Sequence, residues 1–168
     1  MAGEHVLSWI EGHRDELAHL SDEIWRLAEV GLKEYRSAKL QQAYLSGKGF
    51  AVETGVAQRP TAFIAAWGSG KPVLAFLGEY DALPHLSQAA APERKALAEG
   101  APGHGCGHNL LGVGAVAAVV ALKEELAARS LPGTVRYYGC PAEESASGKV
   151  YMVHHGLFDD VDAAITWH

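Results

Sequence analysis

The chain is poor in several features that would narrow its class. Its 168 residues include only two cysteines, Cys106 and Cys140, too few for a disulfide framework and more in keeping with a reducing cytoplasm. Positive charge is in deficit. Fourteen Lys and Arg stand against 20 Asp and Glu, a formal net charge of -6, so nothing favours a nucleic-acid backbone or an anionic membrane surface. No apolar run is long enough to span a bilayer. The longest, Leu110 to Leu122, is short and full of Gly and Ala, and it reads as a buried helix. The start, Met1-Ala2-Gly3-Glu4-His5, is acidic and leads into an amphipathic pattern, which is not that of a secretory leader. Internal repeats and low-complexity tails are missing too.

What remains is enough for one domain with a real core. A hydrophobic share of 48% and a charged share of 20% are those of an ordinary globular protein. Trp9, His13, Leu17, Leu20, Ile24 and Leu27 recur at helical spacing and predict one long first helix. A second helix is expected from near Ser37, a good cap, to Gly47 or Gly49. Two β-rich runs follow, Thr61 to Trp67 and Pro72 to Leu77, and Gly68-Ser69-Gly70-Lys71 between them is a hairpin signal. His85 to Gly105 has no steady period and is expected to be a long loop, a kind that is usually functional or disordered. Then come a helix from His108 to Arg129, a strand from Thr134 to Cys140, a short helix from Gly148 to Phe158 and a strand from Ala163 to Trp167. Helices interleaved with strands predict a layered α/β domain around a mixed sheet.

The chemically reactive residues fall just past strands. Asp81 follows the strand ending at Leu77, Glu143 and Glu144 follow Cys140, and His168 follows Trp167. Cys106, His108 and Asn109 stand at the mouth of a helix. Open α/β sheets bind ligands beyond the carboxyl ends of their strands, so these groups are expected to converge on one edge. Cys, His, Glu and Asp suit zinc or manganese, and two adjacent carboxylates allow one to ligate while the other handles a proton. On an extended segment Glu143 and Glu144 would point opposite ways.

Each signal has a plainer explanation when taken alone. A Cys near a His is common in cores, paired glutamates usually mark a solvated turn, and a terminal histidine is often frayed. The nine histidines decide nothing by number, since His13 and His19 read as surface positions. His104 reads equally as a loop histidine, and Cys140 as a small core residue. Convergence is what outweighs the separate explanations.

Four segments taken in order carry a resemblance. They are Gly78-Glu79-Tyr80-Asp81-Ala82-Leu83-Pro84, Pro102 to Gly112 with Cys106-Gly107-His108-Asn109 at its centre, Tyr138-Gly139-Cys140-Pro141-Ala142-Glu143-Glu144, and Phe158 to His168. Together they resemble the amidohydrolase branch of the M20 metallopeptidases. The resemblance implies a catalytic domain like that of the zinc exopeptidases, of which residues 1–168 would be the N-terminal part. The sheet would be incomplete on its C-terminal side, and the lid and dimerisation domain and a last ligand histidine would lie beyond.

By the same resemblance Cys106, His108, Glu144 and His168 are metal ligands, and Glu143 is the general base. Asp81 takes the place of an aspartate that in other branches supports a ligand histidine two residues earlier. Here that earlier position is Glu79, so Asp81 counts as a supporting group outside the metal shell. The chemistry implied is amide hydrolysis by a water that two divalent ions, zinc or manganese, acidify. Glu143 would pass the water's proton to the leaving amine. The substrates implied are N-acyl amino acids, aroyl-glutamates such as p-aminobenzoyl-glutamate being favoured. The complete enzyme would be an oligomer, its candidate partner a second, homologous subunit, and the 168 residues alone would turn over little substrate.

Two rival functions remain at this point. One is a non-catalytic metal-binding or interaction module that keeps the motifs. The other is a cysteine hydrolase using Cys106 and His108, although their spacing at a helix start does not give the usual nucleophile–base geometry.

Overall fold

The computed structural model describes residues 3–168; Met1 and Ala2 of the acidic start lie outside the described residues. Five strands, β1 (Ala51–Thr54), β2 (Phe63–Ser69), β3 (Val73–Glu79), β4 (Gly133–Cys140) and β5 (Ala163–Ile165), form one mixed sheet in the order β1-β2-β4-β3-β5. β3, β4 and β5 run parallel, while β1–β2 and β2–β4 pair antiparallel. The helices are α1 (Glu4–Gly12), α2 (Arg14–Leu27), α3 (Tyr35–Gly47), α4 (His108–Ala128), α5 (Glu143–Ala146) and α6 (Gly148–His154).

Strand alternation divides the core between the two faces of the sheet. Phe63, Ala65, Phe76, Val135 and Tyr137 pack with α2, α3 and α4 through Ile24, Leu45, Val116 and Val120. The opposite face is smaller: Ala75, Tyr138 and Cys140 meet Met152 of α6 and the segment around Phe158. α4 has small apolar residues on every side, which suits a helix enclosed by sheet and neighbouring helices. Its run is not buried throughout, since Leu110 is 66% exposed. Among the described residues no helix is long and apolar enough to cross a membrane.

Three expectations are corrected. The first helix is two, broken at His13 (φ −115°, ψ 12°) after Gly12. Gly12 is a weak helix former, and the His13 ring stacks on Trp9 at 4.0 Å while its Nδ1 lies 2.7 Å from the Trp9 carbonyl oxygen. Ser37 does not cap α3 but lies inside it. The capping falls to Glu29, whose carboxylate accepts from the backbone N–H groups of Arg36 and Ser37 and from the Ser37 hydroxyl.

The hairpin does not form either. β4 lies between β2 and β3 and pairs with both. The Gly68–Lys71 connection instead passes the start of β4, where the Thr134 hydroxyl donates to the Gly70 carbonyl at 2.8 Å. β4 is buried along nearly its whole length, as a central strand must be, and a local turn signal carries no information about a partner so distant in sequence.

α4 meets the sheet most closely at Gly112, where a side chain would collide with the Glu79 carbonyl and press on Gln41 Nε2. Gly112→Ala is therefore expected to lower stability by roughly 1–3 kcal/mol, as overpacking does, in urea unfolding monitored by circular dichroism. An unchanged midpoint would show that α4 can shift at no cost.

Candidate metal centre

The three parallel strands end on the same edge. β3 ends at Glu79, paired in register with Cys140 at the end of β4. Extended backbone then puts Glu79 and Asp81 on one side, 3% and 2% exposed, and buries Tyr80 on the other. The Tyr80 hydroxyl donates to the Thr61 carbonyl at 2.6 Å and locks that alternation.

The loop from His85 to Gly105 is closed at its base by paired backbone bonds between Leu83 and Gly103, each 3.0 Å, and this delivers Cys106 and His108 beside Asp81. Between the loop and the end of α2 lies a hollow of about 610 Å³ lined by Trp25, Leu27, Leu86, Leu97 and His104. His104 Nε2 lies 3.2 Å from the Ile24 carbonyl oxygen; burial, the largest influence on it, lowers its pKa.

Past β4 the chain turns sharply. Ala142 adopts φ 54°, ψ 41°, and Glu143 and Glu144 open the single helical turn α5. They are not on an extended segment, so they diverge by the helical step of about 100° per residue rather than by strand alternation. Two carboxylates fix this turn. Glu34, fully buried, accepts the Ala142 N–H at 2.7 Å and the Thr61 hydroxyl at 3.1 Å. Asp81 Oδ2 accepts the Glu144 N–H at 3.0 Å. Gly31 packs so closely on the turn that a side chain there would strike the Ser145 hydroxyl.

His168, just past β5, stands edge-on to His108 with ring centroids 5.1 Å apart. The structure therefore brings Cys106, His108, Glu144 and His168 together: one donor atom from each lies within 4.8 Å of the others. Glu79, His108, Glu143 and His168 meet the same limit. Asp81 supports a histidine, though not one two residues earlier. Its Oδ1 lies 2.9 Å from His108 Nδ1 and its carbonyl oxygen 3.1 Å, so two acceptors hold the proton on Nδ1 and leave Nε2 free to ligate.

Three inward-facing atoms, His108 Nε2, Glu144 Oε1 and Glu79 Oε2, are buried without a hydrogen-bond partner. Buried polar atoms are rarely left so, and a cation between His108 and Glu144 would satisfy both, while Glu79 Oε2 faces His108 Nε2 at 3.0 Å. Mixed sulfur, nitrogen and oxygen donors are the kind zinc accepts. The acids beside His108 act on its proton too. Burial disfavours the imidazolium, yet Asp81 and Glu79 outweigh it and raise the pKa to about 10. The Cys106 thiol is pushed up to about 11, first by its hydrogen bond to Glu144. This argues against the cysteine-hydrolase alternative, since a thiol among carboxylates is a poor nucleophile at neutral pH.

Sequence reasoning did not single out Glu79, Glu34 or Lys149 as parts of the site's surroundings. The place of Glu79 beside the cluster could have been found from its spacing of two from Asp81. Lys149, whose ammonium pairs with Glu79, and Glu34 carry no local signal, because what they touch lies far along the chain.

A mixed sheet whose parallel strands end at clustered Cys, His and carboxylate donors is the arrangement of a metal-site α/β domain. The chain matches peptidase family M20/M25/M40 over residues 75–168 and belongs to that family. It is 50% identical to one of the subunits of p-aminobenzoyl-glutamate hydrolase from Escherichia coli (strain K12), over 95% of this chain and 33% of that protein. Among solved structures, a dinuclear metal binding peptidase of the M20 family from Bacillus subtilis superposes with a TM-score of 0.73 at 24% identity, covering 92% of this chain and 42% of that one. The aminobenzoyl-glutamate utilization protein from Klebsiella pneumoniae gives 0.69 at 20% identity, covering 97% and 46%. The chain spans about a third of the length of the curated relatives it matches.

Two outcomes follow from this geometry. Asp81→Ala is expected to weaken Zn²⁺ or Mn²⁺ binding by about 10–100-fold, the usual cost of losing a group that orients a ligand, as read by calorimetric titration. Because His108 and Cys106 both hold protons at neutral pH in the metal-free chain, an ion must displace them. Uptake at pH 7 is expected to release about two protons per ion, and affinity should climb as pH rises toward the raised pKa values. Titrations in buffers of differing ionisation enthalpy measure the release; an affinity that does not change with pH would contradict it.

Proposed function

We propose that this chain supplies the metal site of a metal-dependent amidohydrolase acting on N-acyl amino acids, with aroyl-glutamates such as p-aminobenzoyl-glutamate as the favoured substrates. The observation that carries the reading is the four-donor cluster of Cys106, His108, Glu144 and His168, with Glu143 beside it on the same helical turn. Two divalent ions, zinc or manganese, would polarise the amide carbonyl and acidify the attacking water. The 50% identity to an enzyme named for p-aminobenzoyl-glutamate hydrolysis supports the substrate. That the relative is named as one subunit of its enzyme supports an oligomer with a second, homologous subunit. The two free cysteines, Cys106 exposed and Cys140 buried, support a reducing compartment such as the cytoplasm.

The residues divide the work. Cys106, His108, Glu144 and His168 would hold the metal, and Asp81 keeps His108 and the Glu144 backbone in place. Glu143 Oε2 lies 3.8 Å from His108 Nε2 and 3.9 Å from His168 Nδ1, at the edge of the cluster and partly open to solvent. A carboxylate so placed can take the proton of the attacking water and hand it to the leaving amine. Catalysis also needs the substrate gripped in near-attack geometry. We assign that role to parts of a full-length enzyme outside these 168 residues, which alone are expected to turn over little substrate.

The test uses the protein at the length of its relatives. Glu143→Gln should lower kcat on p-aminobenzoyl-glutamate by about 10²–10⁴-fold, the usual worth of a general base, with metal content nearly intact. Cys106→Ala and Glu144→Ala should lower metal content. Loss of metal in Glu143→Gln would make Glu143 a ligand, and metal binding without turnover on any N-acyl amino acid would leave a binding module.

A further inference from the structure

The two donor sets share both imidazoles, His108 and His168, and differ in their acids: Cys106 and Glu144 on one side, Glu79 and Glu143 on the other. Glu79 is well placed to ligate. It is 3% exposed, and its Oε2, which has no hydrogen-bond partner, lies 3.0 Å from His108 Nε2 and 3.4 Å from His168 Nδ1. It differs from the other acids of the cluster in its charge partner. Lys149 binds Glu79 Oε1, and among the described residues it is the one Lys or Arg in an ion pair with an acid of the cluster.

Lys149 is held in position from its own side. It is the second residue of α6, whose first residue, Gly148, lies so close to Pro141 that a side chain there would collide with the Pro141 carbonyl. The end of β4 thus fixes where the Lys149 stem begins, and its ammonium reaches across to the end of β3.

We propose that Lys149 is a positioning residue, a resident counter-charge that keeps Glu79 out of the metal shell and leaves the ion to Cys106, His108, Glu144 and His168. The proposal rests on the metal-site reading above. Two electrostatic effects act in the same direction. For Glu79 to ligate, its half-neutralised carboxylate would have to share its charge between ammonium and metal. An ion drawn toward Glu79 would also approach the ammonium itself, and two like charges at such range repel strongly where water is scarce. The Cys106–Glu144 side has no such cation, so the ion is biased toward it. With Lys149 in place the Lys149–Glu79 pair is close to neutral, so the ion feels little of the Glu79 charge.

The test is calorimetric titration of the metal-free chain with Mn²⁺ or Zn²⁺. Lys149→Met keeps the stem and removes the charge, and it should tighten binding by at least about tenfold, the scale of effects around metal shells. Glu79→Gln should bind within about threefold of wild type, and the double variant should lose the gain of Lys149→Met, because the gain is the freed Glu79. Lys149→Arg should match wild type. A merely structural Lys149 gives the opposite sign, weaker binding together with a lower melting temperature.

Unchanged or weaker binding in a folded Lys149→Met, or a tenfold loss in Glu79→Gln, overturns the proposal. If Lys149→Met does not fold by circular dichroism, the other two decide. Glu79→Gln and Lys149→Arg both near wild type uphold the proposal, and a large loss in either overturns it. A wild-type chain that folds but binds no ion fails the metal-site reading itself and takes this proposal with it.

Discussion

The site depends on one carboxylate. Asp81 holds the His108 proton with one oxygen and the Glu144 backbone N–H with the other, so it joins the start of α4 to the turn after β4. His108 and Glu144 come from different segments, and Asp81 is the side chain that bonds directly to both. A neutral side chain could accept one of these bonds. An ionised carboxylate accepts both and, being 2% exposed, acts where few waters compete. Its negative charge would also favour a cation on the far side of the imidazole.

A second tier of contacts holds Asp81 and its partners in turn. The Ala82 N–H donates to the Glu29 carbonyl at 2.8 Å, Gly31 packs on the Ala142–Ser145 turn, and Glu34 caps the Ala142 N–H. One short stretch before α3 therefore supports both arms of the site. Glu34 bears the cost of this arrangement. Burial, chiefly, raises its pKa against the hydrogen bonds it accepts, which marks it as an acid kept for placement rather than for stability.

The elements with a distinctive local composition were legible in the sequence: α4, β3, β4 and the long loop lie close to where composition and pattern put them. So was the edge where the reactive residues meet, because the end of a strand is a local property and three such ends carry His, Asp or Glu. The losses are non-local. The hairpin signal at Gly68–Lys71 is sound chemistry for a tight turn, but the identity of β2's neighbour is decided by β4, more than 60 residues on. α5 was read as extended because four helical residues leave no periodicity to detect. Glu79 was not named as a neighbour of the site, although alternation along the strand puts it on the same side as Asp81. Glu34 and Lys149 act on groups 108 and 70 residues away, a distance no window of sequence spans.

The central place of β4 also bears on how the chain comes to be folded. β2 and β3 are complete by residue 79, but each has its main partner in residues 133–140. On a ribosome β3 has no partner strand, and β2 only β1, until the whole of α4 has been made. Contacts so far apart in sequence slow folding, and strands left waiting are prone to pair with the wrong chain. The arrival of Thr134–Cys140 thus joins the β1–β2 pair to β3 and, in the same step, brings the end of β4 beside Glu79. Nascent chains shorter than this lack Glu144 and His168, two of the four donors of the cluster.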